Sequence, residues 1–231
     1  MARHILAIDT ATEACSVAIW RDGEIFTQFT VSPQKHTKKI LPMLEQCLID
    51  AHLELKHIDI LAFGRGPGSF TGVRIAVSIA QGLAFGADLL LIGISSLLTM
   101  AQGAYRQSGV KKVLVAIDAR MGEIYSACYE LKPDGFWQGE ETEAVLKPEQ
   151  FLSTINSLSG QWVIAGTGWL AYPILRITNL NLLESGIFLP NAQDMLYLAL
   201  QDWQKGKTVD PEEAKPVYLR NKISWKKLPG R

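Results

Sequence analysis

The chain has 231 residues, 48% of them apolar and 20% charged, enough material for a sizeable core in one body or two related lobes. Lysine plus arginine and aspartate plus glutamate stand at 23 each, so no net charge pulls the molecule toward nucleic acid, and any RNA-related role must work through a local patch or a partner. Three scattered cysteines, Cys15, Cys47 and Cys128, exclude a disulfide framework or a zinc knuckle and fit a reducing compartment.

The opening MARHILAIDT has no secretory apolar region, because Asp9 interrupts the run. The longest apolar stretch, ADLLLIGISSLL, is too short to span a bilayer, so the expectation is a cytoplasmic chain with no membrane contact. HILAIDTATEACSVAIWRDGEIFTQFTV predicts a strand ending at Asp9, a polar turn, a strand over 15–20, the turn RDGE and a third strand. HTKKILPMLEQCLIDA then places Ile40, Leu41, Leu44, Leu48 and Ala51 on one helical face. Pro42 inside that pattern leaves the Lys38 carbonyl without a partner, which predicts a kink or a first turn that stops there. A buried-type strand over 58–63 runs into the glycine turn GRGPGSFTG, and LLLIGISS is a second such strand, followed by helix through Ala104. Strand and helix alternating in this order predict an α/β fold with parallel strands.

The second half starts over. VLVAIDARMGEIYSACYEL echoes HILAIDTATEACSVAIW, with Ala116-Ile117-Asp118 against Ala7-Ile8-Asp9, and QWVIAGTGW again leads a strand into Gly-Thr-Gly. The matching element order predicts an internal duplication. QSGVKK at 107–112 is the expected boundary between an N-terminal lobe, 1–106, and a C-terminal lobe, 107–231. From Ala214 onward the chain carries six Lys/Arg and no acid.

Asp9 at a strand end, followed by Thr10 and Thr12, can hold a hydrated divalent cation while hydroxyls and turn amides meet phosphate, or it can cap its own turn. Gly64, Gly66 and Gly68 ahead of a helix capped by Ser69 or Thr71 suit an anion at the helix N-terminus, or simply a swing from strand to helix. No Walker-type lysine follows, so the turn is not a P-loop. The helix after it is apolar nearly all round: Phe70, Val73, Val77, Ala80 and Ala84 form one stripe and Ile75, Ile79 and Leu83 a second, with Arg74, Ser78 and Gln81 as a polar edge. Such a helix is buried on both sides, by the sheet and either a partner subunit or this chain's own elements. Metal and hydrolytic chemistry find no support: His4, His36, His52 and His57 form no ligand pair at helical spacing, and Ser69 is in no nucleophile elbow. The tail interleaves Arg220, Lys222, Lys226, Lys227 and Arg231 with Tyr218 and Trp225, which suits RNA, an acidic protein face or a solvated terminus.

ILAIDTATEACSVAI, HTKKILPMLEQCL, GRGPGSFTGVRI, AIDARMGEIY, GTGW and PVYLRNKISWKKLPG, in that order along essentially the whole chain, closely resemble the bacterial TsaB (YeaZ) family of tRNA threonylcarbamoyladenosine biosynthesis proteins. The resemblance implies a duplicated fold of the actin, Hsp70 and sugar-kinase (ribonuclease H-like) type, with mixed sheets, flanking helices and two lobes. It implies a non-enzymatic scaffold that activates the catalytic paralogue TsaD, with the ATPase TsaE, in placing threonylcarbamoyl on N6 of the adenosine 3' of the anticodon in tRNAs that read codons beginning with A. The partner docks through a bundle of N-terminal helices, tRNA enters only within the complex, and the chain self-associates through similar surfaces when alone. Where the paralogue has two metal-binding histidines, this chain has Ser96 and Met100, so no metal is expected. No cofactor is expected either, beyond weak or vestigial nucleotide binding at Asp9, Thr10, Gly66, Gly68 and Asp118. The expected partner interface comprises His36, Ile40, Leu44, Phe70, Val73, Arg74, Ala76, Val77, Ala80 and Gln81, with Val73, Ala76, Val77 and Ala80 near its centre. The competing readings are a small ATP-dependent phosphotransferase or ATPase of the same fold, and a glycoprotease-like peptidase.

Overall fold

The structure is a computed structural model and describes residues 3–220. Its first half runs β1 (His4–Asp9), β2 (Ala14–Arg21), β3 (Glu24–Val31), α1 (His36–Asp50), β4 (Ile60–Gly66), α2 (Phe70–Ala87), β5 (Leu90–Ser95) and α3 (Ser96–Ser108). The second half runs β6 (Lys112–Asp118), β7 (Ile124–Leu131), β8 (Trp137–Gln138), β9 (Ala144–Leu146), α4 (Pro148–Ile155), β10 (Gln161–Ala165), α5 (Gly168–Ala171), β11 (Asn181–Glu184) and α6 (Ala192–Gln204). The first sheet has the order β3-β2-β1-β4-β5 and the second β11-β10-β6-β7-β8, with β9 pairing β7. Read from opposite ends, these are one topology used twice: an antiparallel meander followed by parallel strands on the far side of its first strand. That is the α/β duplication predicted from the echoing Ala-Ile-Asp strands.

Strand β1 shows why a continuous apolar run sits at the centre of a sheet. Its even positions, Leu6 and Ile8, join the cluster under α1 and α2, with Ile40, Leu44, Val77 and Ala80. Its odd positions, Ile5 and Ala7, pack on Met195, Leu196 and Ala199 of α6. Both faces are covered, so alternation vanishes from the sequence. The two halves also exchange helices. Leu97, Met100, Ala101 and Ala104 of α3 pack under Val113 and Val115 of the second sheet, while α6 covers the first.

Helix α1 runs unbroken from His36 to Asp50 with Pro42 inside it. Pro42 and Lys38 lie on the exposed side, where the carbonyl that the proline leaves free faces solvent rather than the core, and the helix continues through the first turn. Ser69 caps α2 through its side chain, as its position after the glycine turn predicts. Of the basic tail, Tyr218 and Arg220 are in place, whereas Lys222, Trp225, Lys226, Lys227 and Arg231 lie outside the described residues.

Candidate functional site

Asp9 ends β1 at full burial. Its Oδ1 accepts the Ala11 amide at 3.0 Å, the Asx-turn bond, while Oδ2 has no partner among the described residues. Burial pushes the carboxyl up to about 7, against the smaller lowering by the Ala11 hydrogen bond. The glycine turn closes over this carboxylate. A Cβ on Gly64 would stand 1.9 Å from Asp9 Oδ2, and one on Gly68 only 2.2 Å from the Ala11 carbonyl oxygen. The Ser69 amide donates to that same carbonyl at 2.7 Å, and the Thr10 hydroxyl donates to the Gly72 carbonyl at 2.7 Å. Gly68 lets two stretches of backbone touch, and Gly64 lets the turn close against the Asp9 carboxylate, whose Oδ2 is buried beneath it. Gly66 lies under the C-terminal segment, the Val217 carbonyl oxygen being 2.9 Å from where its Cβ would be.

The second half repeats the device. A Cβ on Gly166 would lie 2.0 Å from the Ala116 carbonyl oxygen, and the Asp118 amide donates to Thr167 Oγ1 at 3.0 Å. Asp118 Oδ1 accepts from the Arg120 amide and the Tyr172 hydroxyl, at 2.9 and 3.1 Å. Ser96 and Met100 are buried in the core beneath the second sheet. Among the described residues no group of three or more His, Cys, Asp or Glu side chains is gathered that could hold a metal ion.

The structure turns the expected partner face inward. Ile40 and Leu44 of α1, and Val73, Ala76, Val77 and Ala80 of α2, are buried in this chain's own core, and His36 is buried at the start of α1. Four aliphatic and small positions proposed for the middle of an interface therefore hold the sheet instead. Phe70, Arg74 and Gln81 are engaged by a segment that sequence reasoning missed, residues 211–220, which runs back along α2. Gln81 Nε2 donates to the Pro211 and Ala214 carbonyls at 2.9 and 3.3 Å, and the Val217 amide donates to the Arg65 carbonyl at 2.8 Å. The Arg74 guanidinium stacks 3.6 Å over the Phe70 ring and donates to the Tyr218 hydroxyl at 2.9 Å. Arg220 then crosses to the second half, bonding the Ala119 carbonyl and the Glu123 carboxylate. An irregular strap has no periodicity, and nothing in its sequence announces it.

What α2 leaves outside is nevertheless apolar and smooth. The helix has 18 residues with a mean hydropathy of 1.3, by length and composition enough to cross a bilayer, yet only a third of it is buried. Its outward face carries Ser78, Gly82, Phe85 and Gly86, with Phe85 at 62% exposure, flanked by the half-buried Ile75 and by Ile79, which also packs against the core. Ser78, Gly82 and Gly86 are four apart, and a Cβ on either glycine would meet nothing within 4 Å. Glycine inside a helix costs roughly 0.5–1 kcal/mol relative to alanine, and here no neighbour among the described residues requires it. Beside this face α1 exposes Leu41 and Ile49. The signal available in the sequence was two glycines one helical turn apart within an apolar pattern.

A Val77→Asp change follows from the same geometry. Val77 is 5% exposed, so the aspartate is expected to cost several kcal/mol of stability, read as a large fall in urea midpoint. The variant reports folding, not docking.

Two mixed sheets of one topology used twice, each with flanking helices and a glycine turn packed against its first strand, define a duplicated α/β protein. The family model described as "TsaD: tRNA N6-adenosine threonylcarbamoyltransferase" matches residues 29–198. The chain is 57% identical over 229 residues to the tRNA threonylcarbamoyladenosine biosynthesis protein TsaB of Escherichia coli (strain K12), covering 99% of each. It is 47% identical to the protein of the same name from Haemophilus influenzae, covering 98% of each. The solved structure described as YeaZ from Pseudomonas aeruginosa superposes with a TM-score of 0.85 at 42% identity, over 94% of this chain and 100% of that one. The chain belongs to the TsaB family.

Proposed function

We propose that the chain is a non-catalytic subunit in tRNA threonylcarbamoyladenosine biosynthesis: a cytoplasmic scaffold that activates a TsaD-type transferase, with a TsaE-type ATPase, and meets tRNA only in their company. The observation that carries this reading is the outward face of α2, where an apolar surface is smoothed by two glycines that the fold itself does not need. A partner helix can lie close along Ser78, Gly82 and Gly86 while Ile75, Ile79 and Phe85 bury against it. The closure of the glycine turn against the buried Asp9 carboxylate supports a role without nucleotide chemistry of its own. The two lobes, taken as 1–106 and 107–231, then act as one platform, since α3 and α6 each cover the other half's sheet.

The test is a reconstituted modification assay on tRNA with each component omitted in turn. The chain alone is expected to give no transfer, and its omission to abolish transfer by the others. Titration with ATP and Mg²⁺ completes it: tight binding lost in Asp9→Asn would favour an ATPase of the same fold and overturn the scaffold reading.

A further inference from the structure

We propose that the N-terminal end of α1, with Lys35, Lys38 and Lys39, is a docking surface for the phosphodiester backbone of RNA. The choice of RNA as the polyanion rests on the proposed function, in which the chain meets tRNA inside an assembly.

A helix carries the positive end of its dipole at its N-terminus, where an acid or a capping hydroxyl is stabilising and a lysine is not. Three other helices follow that rule, with Ser69, Ser95 and Asn191 capping α2, α3 and α6 through their side chains. Helix α1 breaks it. Its N-cap residue, Lys35, makes no side-chain capping bond, and its first turn holds no acid. The His36 and Thr37 amides find no acceptor among the described residues. Lys35 and Lys39 stand four apart, the spacing at which like charges repel. All three lysines are exposed, and among the described residues the lysine ion pairs belong instead to Lys56, Lys132 and Lys207. The chain holds charge where it weakens its own helix, so the counter-charge comes from outside.

Helix α2 begins at the same place. The turn 10–13 touches the lead-in to both helices: the Glu13 carbonyl accepts the Ser32 amide at 3.0 Å, and the Ala11 carbonyl accepts the Ser69 amide at 2.7 Å. Two positive helix ends therefore flank one turn. Segments 10–13, 32–39 and 69–76 hold four cations, the three lysines and Arg74, against the single acid Glu13. In a chain whose charges balance at 23 each, this is a local basic end. At its foot His36, 7% exposed, and Ser32 each bury a polar atom, Nδ1 and Oγ, that has no partner among the described residues.

The chemistry selects phosphate. Free amides at a helix N-terminus bind anions, and lysine is a point charge on a flexible stem that grips phosphate without reading bases. Segment 32–39 has no Phe, Tyr or Trp on which a base could stack, so the contact carries no sequence preference. About three phosphates make a weak site in the chain alone, in keeping with tRNA entering only with the partners. The outward face of α2, at Ser78, Gly82 and Gly86, lies toward the other end of that helix and stays free for the transferase.

The experiment is tRNA binding by the assembled complex of chain, transferase and ATPase, read by fluorescence anisotropy across a KCl series. Each lysine–phosphate contact releases counterions and adds about 0.7–0.9 to the slope of log Kd against log salt. Changing Lys35→Gln, Lys38→Gln and Lys39→Gln together is expected to raise Kd about tenfold or more at low salt and to cut that slope by about two. Lys111→Gln, an exposed lysine beside β6, is expected to change neither. In the modification assay the triple variant raises the KM for tRNA and keeps its kcat at saturating tRNA. Glutamine relieves the repulsion at the helix end, so the variant should melt no lower than the wild type. Lys38→Gln alone, with a slope change of about one, reads the same surface if the triple fails to fold. Wild-type Kd and slope in the triple variant overturn the proposal. Loss of co-purification with the transferase, at unchanged tRNA affinity in the complex that remains, also overturns it, because the lysines then meet an acidic protein face. If no complex forms at all, the scaffold reading fails. The same salt series on the chain alone then decides whether the lysines touch RNA.

Discussion

Replacing Gly82 by leucine is expected to strengthen the fold and break the proposed assembly. The position lies within α2, on the exposed side, and a Cβ there meets nothing within 4 Å. Leucine restores helix propensity and reduces the freedom of the unfolded chain, which together stabilise by roughly 0.5–1 kcal/mol. The isolated protein should therefore melt a few degrees higher. Against a closely packed partner helix the same side chain forces the two backbones apart, at about 1–3 kcal/mol, which is roughly a ten- to hundredfold loss of affinity. The measurement is paired: thermal melting of the chain alone, and co-purification with the transferase followed by the tRNA modification assay. Gly82→Ala separates the two effects, since it keeps most of the stabilisation and adds only a methyl group to the face. Opposite signs for fold and complex are the signature, because a residue with a purely internal role would move both readouts the same way. Unchanged binding in Gly82→Leu would remove the outward face of α2 from the interface.

Much of the architecture was legible because it rests on local chemistry. The strand ending at Asp9, the meander after it, the Ser69 cap and the repeat at Asp118 each follow from residues within a few positions of one another. The candidate interface was legible only as a helix, not as a face. An all-apolar helix gives no contrast between its sides, so Val73, Ala76, Val77 and Ala80 looked as suited to a partner as to a sheet. The structure decides by size and cost: valines and alanines fill the space over β4, and Gly82 and Gly86, which contribute nothing to that packing, are turned out. The strap and the exchanged helices were beyond reach for a different reason. Gln81 meets Pro211 and Ala214 across some 130 positions of sequence, and α6 reaches β1 from the far end of the chain. Pairings that distant leave no periodic trace.

Asp9 makes a second, independent prediction, in which stability falls as pH rises. The carboxyl is fully buried, has one oxygen without a partner among the described residues and is pushed from 3.8 to about 7. In the unfolded chain it releases its proton near pH 4, whereas the folded protein holds it to about 7. Between those values the folded state binds more protons than the unfolded one, so each step up in pH weakens the fold until the buried group ionises. A shift of about three units corresponds to a few kcal/mol, most of it spent by pH 8. Asp9→Asn keeps an oxygen for the Ala11 amide and cannot ionise. Urea unfolding at a series of pH values is expected to show a wild-type decline across this window and a much flatter curve for Asp9→Asn, whatever the variant's absolute stability. The same curve distinguishes a closed turn from a functional one. A carboxylate meant to hold a hydrated cation would be ionised at neutral pH and would gain stability from Mg²⁺, restoring what the rise in pH removes. Added Mg²⁺ is expected to leave the wild-type slope in place, because the backbone of the glycine turn already occupies the approach to Asp9 Oδ2.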